Sequence, residues 1–145
     1  LSHDSVSCHG YRFNLPHQRS IAVCTDTGYV TDSAREVLPG TDLVFLESNH
    51  EITMLQNGYY PYPLKQRILS NHGHLSNEAC SLFASDLVQH GTTRLVLSHL
   101  SRDNNTPDIA RQTTLAALHH AGLREDFDFT LRVSAPENNE RPLVL

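Results

Sequence analysis

At 145 residues the chain has room for one domain with its own core, or for part of a larger one. Hydrophobic residues make up 39% and charged residues 19%, and no run approaches the roughly 18 apolar residues that a membrane helix needs. The net charge of −5 excludes a global basic field for nucleic acid, though not a local basic groove.

The first ten residues, LSHDSVSCHG, show no opening element. Residues 11–15 and 19–25 are short strand candidates around Pro16-His17-Gln18, so they predict a hairpin, and the second runs into TDTG at 25–28. Residues 31–40 predict a short helix, capped by Thr31 or Asp32 and ended by Pro39-Gly40. DLVFLESNH at 42–50 has four consecutive apolar residues and a polar tip, the pattern of a buried parallel strand. Residues 50–58 read as a turn or two of helix. Pro61 and Pro63 then predict an extended segment before any further helix.

After the loop NHGHLSN, Asn77 is expected to cap a helix over 78–91, with Ala79, Leu82, Phe83, Leu87 and Val88 on its apolar face and Gly91 at its end. A strand over 94–98 carries His99 at its tip. A helix over about 107–121 has Thr106 as N-cap, Pro107 first and Gly122 as terminator. DFTLRVS at 128–134 is a last strand, followed by a polar tail with an apolar end. Strand and helix alternate, which predicts an α/β fold.

Three widely spaced cysteines, Cys8, Cys24 and Cys80, do not form a disulfide framework, and no charged-then-apolar signal-peptide pattern is present. Both features predict a cytoplasmic setting. Cys24, inside an apolar run, is expected to be a buried packing residue.

The ten histidines cluster at strand ends and in turns. Ligands in α/β proteins collect beyond the carboxyl ends of strands. There the sequence places Asp26, then Glu47, Asn49 and His50, then His99, with His72 and His74 in a loop and His3-Asp4 near the start. Imidazoles and carboxylates suit a metal-bound hydrolytic site, where an aspartate bridges two ions and a histidine protonates the leaving group. Each feature also fits an ordinary structural role. TDTG is a turn, GHLSN a helix cap and SRDNN a polar loop, and no H-x-H-x-D-H or C-x-x-C motif gives a compact metal signature.

SHD at 2–4, CTDTGYVT at 24–31, the block from Leu46 to Glu78 and LVLSHLSRDNNTPDIA at 95–110 resemble the metallo-β-lactamase fold hydrolases. Within them the likeness is to the YycJ/WalJ-like branch, related to ribonuclease Z and similar to DNA exonucleases, and it runs from His3 to about Gly122. The resemblance implies His3, Asp26 and His99 as ligands of two divalent metal ions, Zn or Mn, with Asp26 bridging. It implies His74 as the catalytic proton donor and Glu47 as the carboxylate that orients it or a ligand. Asn104 and Asn105 would stand in the loop beside the site.

The family's H-x-H-x-D-H motif is absent. Residues 1–145 thus resemble the carboxy-terminal half of an αββα sandwich, one mixed sheet with flanking helices. The implied partners are a nucleic acid substrate and the missing amino-terminal half of the fold; no membrane partner is expected. Alone, the chain is expected to be inactive, and self-association into a homo-oligomer is an expectation for an uncovered apolar edge.

The leading functional expectation is a metal-dependent phosphodiesterase or exonuclease. Lys65, Arg67, Asn104 and Asn105 would bind substrate, and Tyr59, Tyr60 and Tyr62 would stack on bases, unless these tyrosines simply pack on the neighbouring prolines. The alternatives are an esterase or thioesterase on the same fold, and a non-catalytic α/β interaction module.

Overall fold

A computed structural model describes residues 1–137 as a five-stranded mixed sheet flanked by helices. The strands are β1 (Tyr11–Asn14), β2 (Ser20–Cys24), β3 (Leu43–Glu47), β4 (Arg94–Ser98) and β5 (Thr130–Val133). Their spatial order is their chain order. β1 pairs antiparallel with β2, and β2 to β5 are all parallel. The hairpin expected at Pro16 is therefore present, closed by a short 3-10 turn over Pro16–Gln18.

The helices are α1 (Asp32–Val37), α2 (Ile52–Asn57), α3 (Tyr62–Leu69), α4 (Asn77–Gln89) and α5 (Pro107–His120). Parallel neighbours joined by crossovers of one hand place the connecting helices on one side of the sheet. The core agrees. Alternate residues Ala22, Cys24, Val44, Leu46, Leu95 and Leu97 meet Ala34 of α1, Phe83 and Leu87 of α4 and Leu118 of α5 in one cluster. Cys24 and Cys80 are both buried, and burial pushes each thiol up to about 12, so both stay protonated packing groups.

Three expectations need correction. α3 begins at Tyr62, directly after Pro61, with Pro63 inside its first turn. Proline there removes an N–H that has no helical partner anyway, so the prolines open the helix rather than delay it. The N-cap of α4 is Ser76, whose side chain accepts from the Ala79 amide, and Asn77 is its first residue. Leu82 is 70% exposed and lies off the packed face of α4. Thr106 caps α5 as expected, and Gly122 follows it at φ +79. The apolar end of the polar tail lies outside the described residues.

Asn77 has another role. Its Oδ1 accepts from Ser48 Oγ at 2.7 Å and from Asn105 Nδ2 at 2.9 Å, while its Nδ2 donates to Asn105 Oδ1 at 2.9 Å. Asn105 Nδ2 also reaches the carbonyls of Ser48 and Asn49, at 2.9 and 3.0 Å. All these side chains are buried. The network ties the loop after β3, the start of α4 and the loop after β4 into one rigid floor.

Candidate metal and catalytic site

Three neighbouring strands deliver the site. Asp26 stands two residues past β2, Glu47 is the last residue of β3, and His99 is the first past β4. Since β2 and β4 flank β3, Glu47 lies between the other two. Asp26 and His99 both have left-handed backbone, φ +60 and +59, which turns each side chain over the strand ends instead of along them.

His3 and His74 come from loops. Ser2 donates its amide to Thr27 Oγ1 at 3.3 Å, and its carbonyl accepts from the Gly28 amide at 2.7 Å. The first residues are thereby fastened to the turn that carries Asp26. His74 follows Gly73, where a Cβ would fall on the Ile68 carbonyl, so the close backbone approach demands glycine. The Gly73 carbonyl in turn accepts from His3 Nδ1 at 2.9 Å.

Glu47 is fully buried. Its Oε1 accepts from His74 Nδ1 at 2.7 Å and from His99 Nδ1 at 2.8 Å, and its Oε2 accepts from the Thr27 amide at 2.8 Å. Burial pushes the carboxyl upward. The hydrogen bonds from His74, His99 and Thr27 outweigh that, and the net direction is downward, so Glu47 is an ionised acceptor. The bond to Glu47 pushes the His99 imidazole up, against the effect of its burial.

These bonds fix the ring faces. A carbonyl and an ionised carboxylate can only accept, so Nδ1 of His3, His74 and His99 each carries a proton. In His99 the remaining nitrogen, Nε2, faces Asp26 Oδ1 at 3.6 Å; in His3 it lies 3.9 Å from Asp26 Oδ1 and closer, at 3.2 Å, to Asp4 Oδ1. His74 differs. Its atom nearest Asp26 Oδ1, at 3.9 Å, is Nδ1, already engaged by Glu47, and its Nε2 has no hydrogen bond among the described residues. The ring centroids of His3 and His74 are 4.8 Å apart, and those of His74 and His99 are 5.2 Å apart.

The donor set fits a divalent ion. Nε2 of His3 and Nε2 of His99 each approach Oδ1 of the half-exposed Asp26, so Asp26 can share an ion with either ring. Each ring is held from behind by an acceptor, the arrangement that orients metal-bound histidines. His3, Asp26 and His74 also form a group whose donor atoms lie within 4.8 Å, as do Glu47, His74 and His99.

The other sequence candidates are placed differently. His72 is exposed beside Ser2 Oγ, at 3.5 Å, and His50 is buried, with neither ring nitrogen hydrogen-bonded. Neither joins the cluster. Lys65 reaches the Gln56 carbonyl at 2.7 Å and does not line the cleft beside the site. Arg67 does line it but is paired with Asp4. Asn104 and Asn105 are buried, 1% and 5% exposed, and Asn105 is occupied by the network described above, so their side chains face the interior. Tyr59 is fully exposed. Tyr60 donates its hydroxyl to Asp103 at 2.7 Å. Sequence reasoning missed the Thr27 amide and the Gly73 carbonyl; the glycine between two histidines was the one local sign of the second.

The chain is similar to bacterial exodeoxyribonucleases. It is 36% identical over 137 residues to exodeoxyribonuclease YycJ of Bacillus anthracis, a match covering 94% of this chain and 52% of the relative. Exodeoxyribonuclease WalJ of Streptococcus pneumoniae strain D39 matches at 36% over 94% of this chain and 51% of the relative. The chain spans about half the length of the curated relatives it matches. No family model matches it. No helix of the described residues is long and apolar enough to cross a membrane.

Proposed function

We propose that the chain carries half of the active site of a metal-dependent nuclease that hydrolyses DNA phosphodiesters. One observation carries this reading: Nε2 of His3 and Nε2 of His99 approach the same Asp26 Oδ1, while His74 is held through Nδ1 by the same buried carboxylate as His99. The names of the relatives supply the substrate.

In this reading His3, Asp26 and His99 would hold two divalent ions, Zn or Mn. The bound ions would supply a water acidic enough to ionise near neutral pH and would offset charge on the phosphate. His74 delivers the proton to the leaving oxygen from Nε2. Glu47 keeps that ring in the correct tautomer by accepting its Nδ1–H, and offsets the positive charge of the ring before transfer. Arg67 stands at the edge of the same cleft. The metallo-β-lactamase fold is part of this proposal. So is a second polypeptide segment, corresponding to the unmatched length of the relatives, which would pack against this half and complete the ligand set. The exposed, stacked Tyr11 and Phe13 on β1 are suited to such a contact.

The test uses the full-length protein. Purified without chelator it is expected to hold stoichiometric metal and to degrade DNA in preference to thioesters. His74→Ala should keep the metal and slow DNA hydrolysis by about 100-fold or more, the scale of a lost general acid. Loss of metal in that variant would make His74 a ligand instead. An unchanged rate would remove it from the mechanism.

A further inference from the structure

A cleft of about 370 Å³ opens beside His3 and His74, between α3 and the loop after β4. Its floor is apolar, formed by Leu64 and Ile68, and the Tyr60 ring forms one side, anchored through its hydroxyl to Asp103 at 2.7 Å. Two arginines line it. Arg67 is neutralised by its pair with Asp4, whereas Arg102 has no hydrogen bond or ion pair among the described residues. An uncommitted guanidinium at the rim of an apolar and aromatic trough suits a ligand with a flat ring and a phosphate.

The volume is near the lower end of the roughly 300–1,000 Å³ usual for ligand pockets, which is room for a single nucleotide. A duplex cannot enter such a trough.

Resting on the nuclease reading above, we propose that this cleft is the subsite for the terminal, unpaired nucleotide of a DNA strand, its base between the Leu64–Ile68 floor and the Tyr60 ring and its end phosphate on Arg102. His3 and His74 border the cleft, so a nucleotide seated there leaves the adjoining phosphodiester at the proposed site. The terminal phosphate then sets the register of cleavage, and Arg102 acts on recognition of the strand end.

The experiment measures kcat/KM of the metal-loaded full-length protein on single-stranded oligonucleotides bearing a 5′-phosphate, a 3′-phosphate or hydroxyls at both ends. The wild type is expected to favour one phosphorylated end by about tenfold, the scale of one charge-assisted phosphate contact. In Arg102→Ala that ratio should fall towards one, mainly through KM, and Arg102→Lys should recover part of it. Tyr60→Ala should raise KM by about five- to a hundredfold on every oligonucleotide, and Tyr60→Phe much less. A wild type indifferent to the end group, or an Arg102→Ala that keeps the wild-type ratio, overturns the subsite while leaving the nuclease reading intact. A wild type that degrades none of the three overturns that reading and the subsite with it.

Discussion

Glu47→Ala is expected to lose about 3–5 kcal/mol of stability and at least 1,000-fold in DNA hydrolysis by the full-length protein. The first figure follows from what the buried carboxylate satisfies, two imidazole Nδ1–H groups and the Thr27 amide. Removing one partner of a buried charged arrangement and stranding the others costs on this scale. The second figure combines two losses. His99 loses the acceptor that orients it as a ligand, an effect of roughly 10- to 100-fold, and His74 loses the partner that fixes its tautomer for proton delivery. Glu47→Gln separates the two effects. Its amide keeps the volume, but one side of it must present N–H to another donor, so stability should fall less than in the alanine variant while activity stays low. Chemical denaturation and single-turnover rates on both variants check this; a near-normal rate in Glu47→Gln would show that the carboxylate is structural only.

The second large effect is acid sensitivity from His50. The ring is 1% exposed, and neither nitrogen has a hydrogen-bond partner. Burial is the main cause that pushes its pKa down from 6.5 to about 4. The unfolded chain therefore takes up a proton near pH 6.5, while the folded protein resists until about pH 4. The contribution of this residue is fully present above about pH 6.5 and is lost as pH falls towards 4, amounting to about 3 kcal/mol. His50→Leu removes it. At pH 7 the leucine variant should be at least as stable as wild type, because an apolar side chain replaces a buried ring without partners. Between pH 7 and 4, with chelator present, wild type should lose about 3 kcal/mol more than the variant. Parallel stability curves for the two proteins would contradict the assignment.

His50 also marks where sequence reading stops. It sits in the polar tip after β3, next to residues that do face the site, and nothing local distinguishes a ring turned inward from one turned outward. The strand ends themselves were legible, because in an α/β chain an apolar run that stops at a polar residue is a buried strand reaching the rim of the core. That pattern located Asp26, Glu47 and His99. The cap and proline rules located α5 well and misread α3, because Pro63 fits a first helical turn as readily as an extended segment. Asn77 and Asn105 looked like a helix cap and a loop residue. Their partnership spans 28 positions of sequence, and their contacts to the loop after β3 span up to 57, so no local pattern announces them. Likewise, only the pairing of Arg67 with Asp4 across the fold shows that Arg102 is the uncommitted cation of the cleft.

The left-handed backbone at 26 and 99 bears on how a dead protein should be made for structural or binding work. Asp26 and His99 already hold a Cβ in a conformation that L-residues disfavour by about 1 kcal/mol or more, and alanine at either place would keep that cost. Glycine accepts that turn without penalty. Asp26→Gly thus deletes the carboxylate while leaving the chain path comfortable, and it should melt no lower than the metal-free parent.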